Sequence, residues 1–226
     1  DWPNFESRIE LNTRKLLDIF SAHGAVATFF VLGWVAERYP RLVQALRRAG
    51  HEVASHGYAH KLVYQLSPRE FRDDVRRSKK LLEDVTGTAV VGYRAPSFSI
   101  VKSSLWALDI LVEEGFRYDS SIFPIRHDRY GIPDAERFPH ECRAQNGDAL
   151  VQFPISTLRM CGVNIPVGGG GYLRLFPYAV TRWAIHRLNT NEHKPAIVYL
   201  HPWELDVAQP RIPGPPVSRF RHYVNV

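Results

Sequence analysis

Two histidines four positions apart, His56 and His60 in the run SHGYAH (55–60), are the first residues in the chain whose types and spacing suggest chemistry. On one helical turn the i, i+4 relation brings both imidazoles to the same side, within reach of a single cation. Neutral imidazole suits zinc and other borderline divalent metals. The same spacing also fits two surface or helix-capping histidines, so the pair alone decides nothing. His201 ends the apolar run AIVYLHPWE. It reads as a satisfied core histidine or as an acid that protonates a leaving group, because imidazole titrates near neutral pH. Pro202 and Trp203 would stiffen that loop and give it an apolar wall. Arg94 in YRAPSFS has either a surface partner or a buried carboxylate held ionised by its rigid fork. Pro96 pins the same loop, and the backbone N–H of Ser97 is a donor for a developing oxyanion. Asp119 in YDSS either orients a catalytic imidazole or caps the next turn.

These residues need elements to position them. The run SRIELNTRKLLDIFSAHG sets Ile9, Leu16, Leu17, Ile19 and Phe20 on one helical face, and VATFFVLG (26–33) follows as a buried strand. A helix from about Pro40 to Ala49 closes at Gly50, and a short strand runs into Ser55. Ser67, Pro68 and Glu70 open the next helix and Gly87 lies beyond its end, which are strong start and stop signals. VVGYRAP, FRYDSS, LVQFPIS (150–156) and AIVYLHP (196–202) read as strands, with helices over SSLWALDILVEEG and about 177–189. GGGGYLR (168–174) reads as a flexible loop, since a glycine run without a strand–turn–helix frame and Gly-Lys-Ser/Thr is no phosphate cradle.

Strands alternating with helices predict a mostly parallel sheet covered by helices, and 226 residues suit a closed or nearly closed β/α barrel. Working residues in such barrels lie at the C-terminal ends of strands. SHGYAH, YRAPS, YDSS and YLHPWE all fall at predicted strand ends, and this convergence outweighs any single motif. The net charge of +6 is spread along helices and interleaved with acids, with no nucleic-acid motif beside it, so nucleic acid is not an expected partner. No run of eighteen apolar residues predicts a membrane span. Cys142 and Cys161 could pair in an oxidising compartment, but two thiols without a framework pattern decide nothing.

Taken together, the motifs resemble the polysaccharide deacetylases, the NodB-homology group of carbohydrate esterases. SHGYAH looks like the family's His–Ser/Thr–x–x–His metal motif, with Gly57 in the usual Ser/Thr place. RAPSFS is similar to the arginine–proline motif, with Ser97 for Tyr. YDSSIFP is similar to the following Asp motif without its Trp, and YLHPWE to the terminal Leu–x–His motif. FFVLGWVAERYP, GYRAPSFSI, GGGYLRL and YLHPWELD are more specifically like a subgroup linked to exosortase and exopolysaccharide gene clusters, with a DUF3473-like C-terminal part.

The resemblance implies one catalytic domain over 1–226 with a distorted (β/α) barrel, and a hydrolase that removes acetyl groups from an N-acetylated polysaccharide or oligosaccharide. It further implies Zn2+ or another divalent transition metal held by His56 and His60. His201 would be the general acid, Arg94 would hold the base carboxylate, and Ser97 would supply the oxyanion N–H. The family's first motif, Asp–x–Asp/Glu–Asp at the end of the first barrel strand, carries the base and a third metal ligand, and nothing before Phe5 matches it. The chain is therefore expected to be a fragment truncated at both ends and missing that strand. The alternatives are an inactive carbohydrate-binding or assembly protein on the same fold, and a hydrolase of another carbon–nitrogen amide bond.

Overall fold

The structure, a computed structural model, describes residues 6–144, 147–211, 213 and 215–226. The chain forms two compact units: Val26–Ile165, and a second built from Asp1–Ala25 together with Pro166–Val226. The first element, α1 (Ile9–Ala22), belongs to the second unit. The Val26–Ile165 unit follows with β1 (Thr28–Val31), α2 (Gly33–Arg38), α3 (Pro40–Arg48), β2 (Glu52–Ser55), α4 (Pro68–Thr86), β3 (Gly92–Tyr93), α5 (Trp106–Glu113) and β4 (Tyr118–Asp119). Then come β5 (His140–Arg143), β6 (Ala149–Gln152) and the two-stranded ribbon β7 (Thr157–Met160) and β8 (Val163–Pro166). Cys161 and Gly162 turn that ribbon at φ 48° and 79°, the left-handed pair that a two-residue hairpin favours.

Six strands form one sheet in the order β1-β2-β3-β4-β6-β5. All neighbours are parallel except β5, which runs antiparallel to β6 with His140 opposite Gln152 and Arg143 opposite Ala149. The expected mostly parallel α/β architecture is present, and among the described residues the sheet is open, not closed into a barrel. Its four leading strands are short, so β1 to β4 serve chiefly to line up their C-terminal ends.

The helix α4 shows how the sequence dictates this frame. Phe71, Val75, Ser78 and Leu82 recur at spacings of four and three and are all buried. Each buried apolar side chain of this size contributes roughly 1.5–3 kcal/mol. Ser67 Oγ accepts the Glu70 N–H at 3.3 Å, Glu70 returns the bond to the Ser67 N–H at 2.8 Å, and Gly87 ends the helix at φ +66°. Ser67→Ala is expected to cost about 1 kcal/mol by urea unfolding with an unchanged slope. A change below about 0.3 kcal/mol would show that tertiary packing alone sets this helix start.

Several expectations need correction. In segment 26–33 only four residues form a strand, Thr28 is exposed, and Phe29 and Phe30 are half-buried, because β1 is an edge with β2 as its one pairing strand among the described residues. In α1 the buried positions are Asn12, Thr13 and Leu16, whereas Ile19 is exposed. There the polar face is the one turned inward, because Asn12 donates to Asp206 at 2.9 Å. AIVYLHP is not a strand: Tyr199 makes one parallel bridge to Gly169 and the ladder stops. Gly169 and Gly170 sit at φ +118° and +59°, outside the strand region, so pairing cannot continue past them. The helix predicted at about 177–189 is α7 (Tyr178–Thr190), preceded by the short α6 (Gly171–Leu175), and α8 (Pro216–Tyr223) ends the chain. Cys142 and Cys161 are free thiols.

Candidate active site

Strand β2 stops at Ser55, and the His56 N–H still donates to Val31 O at 2.9 Å. The chain then turns. His56 to His60 are not on a helix as expected, because Gly57 and His60 take left-handed φ values of +75° and +58°. The turn nonetheless brings the two rings together, with centroids 5.4 Å apart and planes inclined at 72°. His56 Nδ1 lies 2.7 Å from the Arg94 carbonyl oxygen. A carbonyl only accepts, so Nδ1 carries the proton and the lone pair is on Nε2, the tautomer that a metal ligand needs. Two such imidazoles fit two positions of a tetrahedral zinc-type set. Among the described residues, no group of three His, Cys, Asp or Glu side chains is arranged to hold a metal ion.

Arg94 follows β3. Its guanidinium donates to Ser120 O at 3.1 Å and Ser120 Oγ at 2.7 Å, and its carbon lies 4.1 Å above the Phe30 ring. The fork thus grips a backbone carbonyl and a hydroxyl of the chain that follows β4. Asp119, at the end of β4, is fully buried. It accepts the Ser121 N–H at 2.9 Å and also the Ser121 hydroxyl. Of the two roles open to it in the sequence, the capping one is seen. Burial pushes its carboxyl up to about 6 against the pull of these bonds. Ser121 Oγ also accepts the Ala95 N–H at 2.7 Å, so the capped turn positions the Arg94–Pro96 loop. Pro96 is buried, and Ser97 is exposed at φ +52°.

In the other unit, the His201 segment is set by the glycine run. Tyr199 N–H donates to Gly168 O at 2.7 Å and Gly170 N–H to Tyr199 O at 2.9 Å. A Cβ on Gly169 would fall 1.8 Å from Tyr199 O, so the run is a close backbone contact and not a loose loop. A short 3-10 turn, Pro202–Leu205, follows. Glu204, buried, places Oε1 3.1 Å from His201 Nδ1 and accepts the His201 N–H on Oε2 at 3.3 Å. The sequence reading missed Glu204, although a carboxylate three residues after the cap position is a capping-box signal. The Trp203 ring stacks on His201 at 5.5 Å and on His222 at 4.2 Å. Asp206 receives Arg8 Nη2 at 3.0 Å and Asn12 Nδ2 at 2.9 Å, which hold its carboxyl well below the usual range.

Residues 3–114 match the polysaccharide deacetylase family, and residues 120–226 match a domain of unknown function (DUF3473). The chain belongs to the polysaccharide deacetylase family. This family member is 33% identical over 115 residues to the peptidoglycan deacetylase of Helicobacter pylori, covering 50% of this chain and 38% of that protein. It is 32% identical over 98 residues to the peptidoglycan-N-acetylglucosamine deacetylase of Bacillus cereus, covering 43% and 36%. The chain thus spans little more than a third of the length of these curated relatives. Among solved structures, one from Mycobacterium smegmatis of the polysaccharide deacetylase type aligns with TM-score 0.63 at 25% identity, covering 85% of this chain and 64% of that one. The PuuE allantoinase aligns with TM-score 0.62 at 20% identity, covering 84% and 59%, a likeness of fold alone. None of the helices described is long and apolar enough to cross a membrane.

Proposed function

We propose that this chain carries part of the catalytic machinery of a metal-dependent deacetylase, which hydrolyses the N-acetyl amide of a cell-envelope glycan or an exopolysaccharide. The observation that carries this reading is the paired His56 and His60, with the His56 tautomer fixed by the Arg94 carbonyl. Relatives named as peptidoglycan and chitooligosaccharide deacetylases support the substrate class. A divalent metal, zinc by donor chemistry, would polarise the amide carbonyl and acidify a water.

In this reading His56 and His60 are metal ligands, and the Ser97 N–H donates to the developing oxyanion. Glu204 accepts from His201 Nδ1, which leaves Nε2 to move a proton to the departing amine. Arg94, through Ser120, and Asp119, through Ser121, hold the loop that presents Ser97. Trp203 fixes the plane of the His201 ring by stacking.

Zinc titration of the metal-free chain tests the ligand pair. One equivalent is expected to bind, and His56→Ala with His60→Ala is expected to abolish it. Stoichiometric zinc retained by the double variant would overturn the assignment. Amine release from N-acetylated chitooligosaccharides, assayed on the full-length protein, separates the hydrolase from a carbohydrate-binding protein that holds the metal without turnover.

A further inference from the structure

The segment between the two histidines is held from two helices. Gly33 N–H and Trp34 N–H of α2 donate to Gly57 O at 2.9 Å and Tyr58 O at 3.1 Å, and α4 holds it through one charged residue that no motif of the sequence pointed to. Asp74, half-buried on α4, accepts the Tyr58 N–H on Oδ2 at 2.8 Å, and the Ala59 N–H also bonds to this carboxylate. One turn further along the helix, Ser78 Oγ donates to Gly57 O at 2.9 Å and lies 3.0 Å from Ser55 Oγ. Ser55 Oγ in turn accepts the Gly57 N–H at 3.2 Å. The backbone of the three residues that separate His56 from His60 is thus tied to α4 as well as to α2. The fit is close: a Cβ on Gly57 would sit 2.7 Å from Asp74 Oδ2.

A surface role accounts for this poorly. Burial pushes the Asp74 carboxyl up, against the pull of its loop hydrogen bonds and, less strongly, of Lys61 and Arg77. Half-burying a carboxylate costs free energy unless hydrogen bonds satisfy it. Two N–H donors from a left-handed turn offset that cost only while the turn keeps its shape. Removing the acceptor leaves those donors unmatched and frees a turn whose Gly57 and His60 already sit at positive φ.

We infer that Asp74 is a positioning residue that sets the spacing of His56 and His60 for a divalent cation, acting through the Tyr58 and Ala59 N–H groups without touching the cation. The inference rests on the reading that the two histidines bind metal. Outer partners of this kind change metal affinity by about 10- to 100-fold when removed.

The test is zinc affinity of the full chain, measured by competition with a chromophoric chelator at a temperature where far-UV circular dichroism shows every variant folded. Asp74→Ala is expected to weaken zinc at least tenfold, and Asp74→Asn, which keeps an acceptor oxygen, to recover most of the loss. A role confined to fold stability would lower the melting temperature and leave zinc affinity untouched. Asp74→Ala within twofold of the unmodified chain overturns the inference, provided zinc binding still depends on His56 and His60. Zinc that fails to bind the unmodified chain, or that survives loss of both histidines, overturns the ligand assignment instead. If Asp74→Ala does not fold, Asp74→Glu decides: its extra methylene displaces the acceptor and is expected to weaken zinc at least tenfold, and an unchanged affinity counts against the inference.

Discussion

Gly169→Ala is expected to destabilise the unit that carries His201 by about 3–5 kcal/mol. The residue sits at φ +118°, which costs any side chain roughly 1–3 kcal/mol. Its new Cβ would lie 1.8 Å from Tyr199 O, a contact with backbone that cannot swing aside. Relief requires moving the strands of chain apart, so the bonds from Tyr199 N to Gly168 O and from Gly170 N to Tyr199 O are lost, at about 1 kcal/mol each. Gly162→Ala is the matched control. It too has positive φ, +79°, but nothing lies within 4 Å of its Cβ, so only the conformational cost of about 1 kcal/mol applies. Urea unfolding followed by tryptophan fluorescence separates the two. Equal losses in both variants would mean that the Tyr199 contact contributes nothing.

The second large effect is a pH dependence. The Asp119 carboxyl is raised from its ordinary value of 3.8 to about 6, first by burial, with Ser121 opposing. A carboxyl raised in the folded state holds its proton more tightly there than when unfolded. Its contribution is therefore full below about pH 4 and is lost as pH rises through 6, the reverse of a salt-bridged carboxylate. At roughly 1.4 kcal/mol per pH unit the loss is about 3 kcal/mol. Asp119→Asn cannot titrate, so its stability relative to the unmodified chain is expected to rise by that amount between pH 4 and pH 7. Unfolding curves at four pH values check this. Parallel profiles would show that Asp119 ionises in the folded protein as readily as in the unfolded chain.

The alternation of elements, the α4 boundaries and the placing of three of the four polar clusters after strands were legible because each rests on local signals: apolar spacing, a capping box, a terminal glycine. What was not legible depended on partners far along the chain. Asn12 and Thr13 look like the wet side of α1 until Asp206, 194 residues away, is known to receive Asn12. Glycines 168–171 look loose until Tyr199 is set against Gly169. Glu204 and Asp74 carry no motif of their own. Glu204 had a readable spacing from His201, but Asp74 is joined to its loop only by the packing of α4. Asp119 had two readings in the sequence, and its bonds to Ser121 depend on how β4 ends.

Arg8 and Asn12 meet Asp206 across nearly the whole length of the chain. This bears on the order of events during synthesis. The Val26–Ile165 unit is contiguous and can fold as it leaves the ribosome. The other unit must keep α1 unmatched until the segment that carries Asp206 arrives, and closing so long a loop slows that step. A nascent chain stalled near residue 165 would therefore present the His56–His60 turn already built, with the His201 segment still to come.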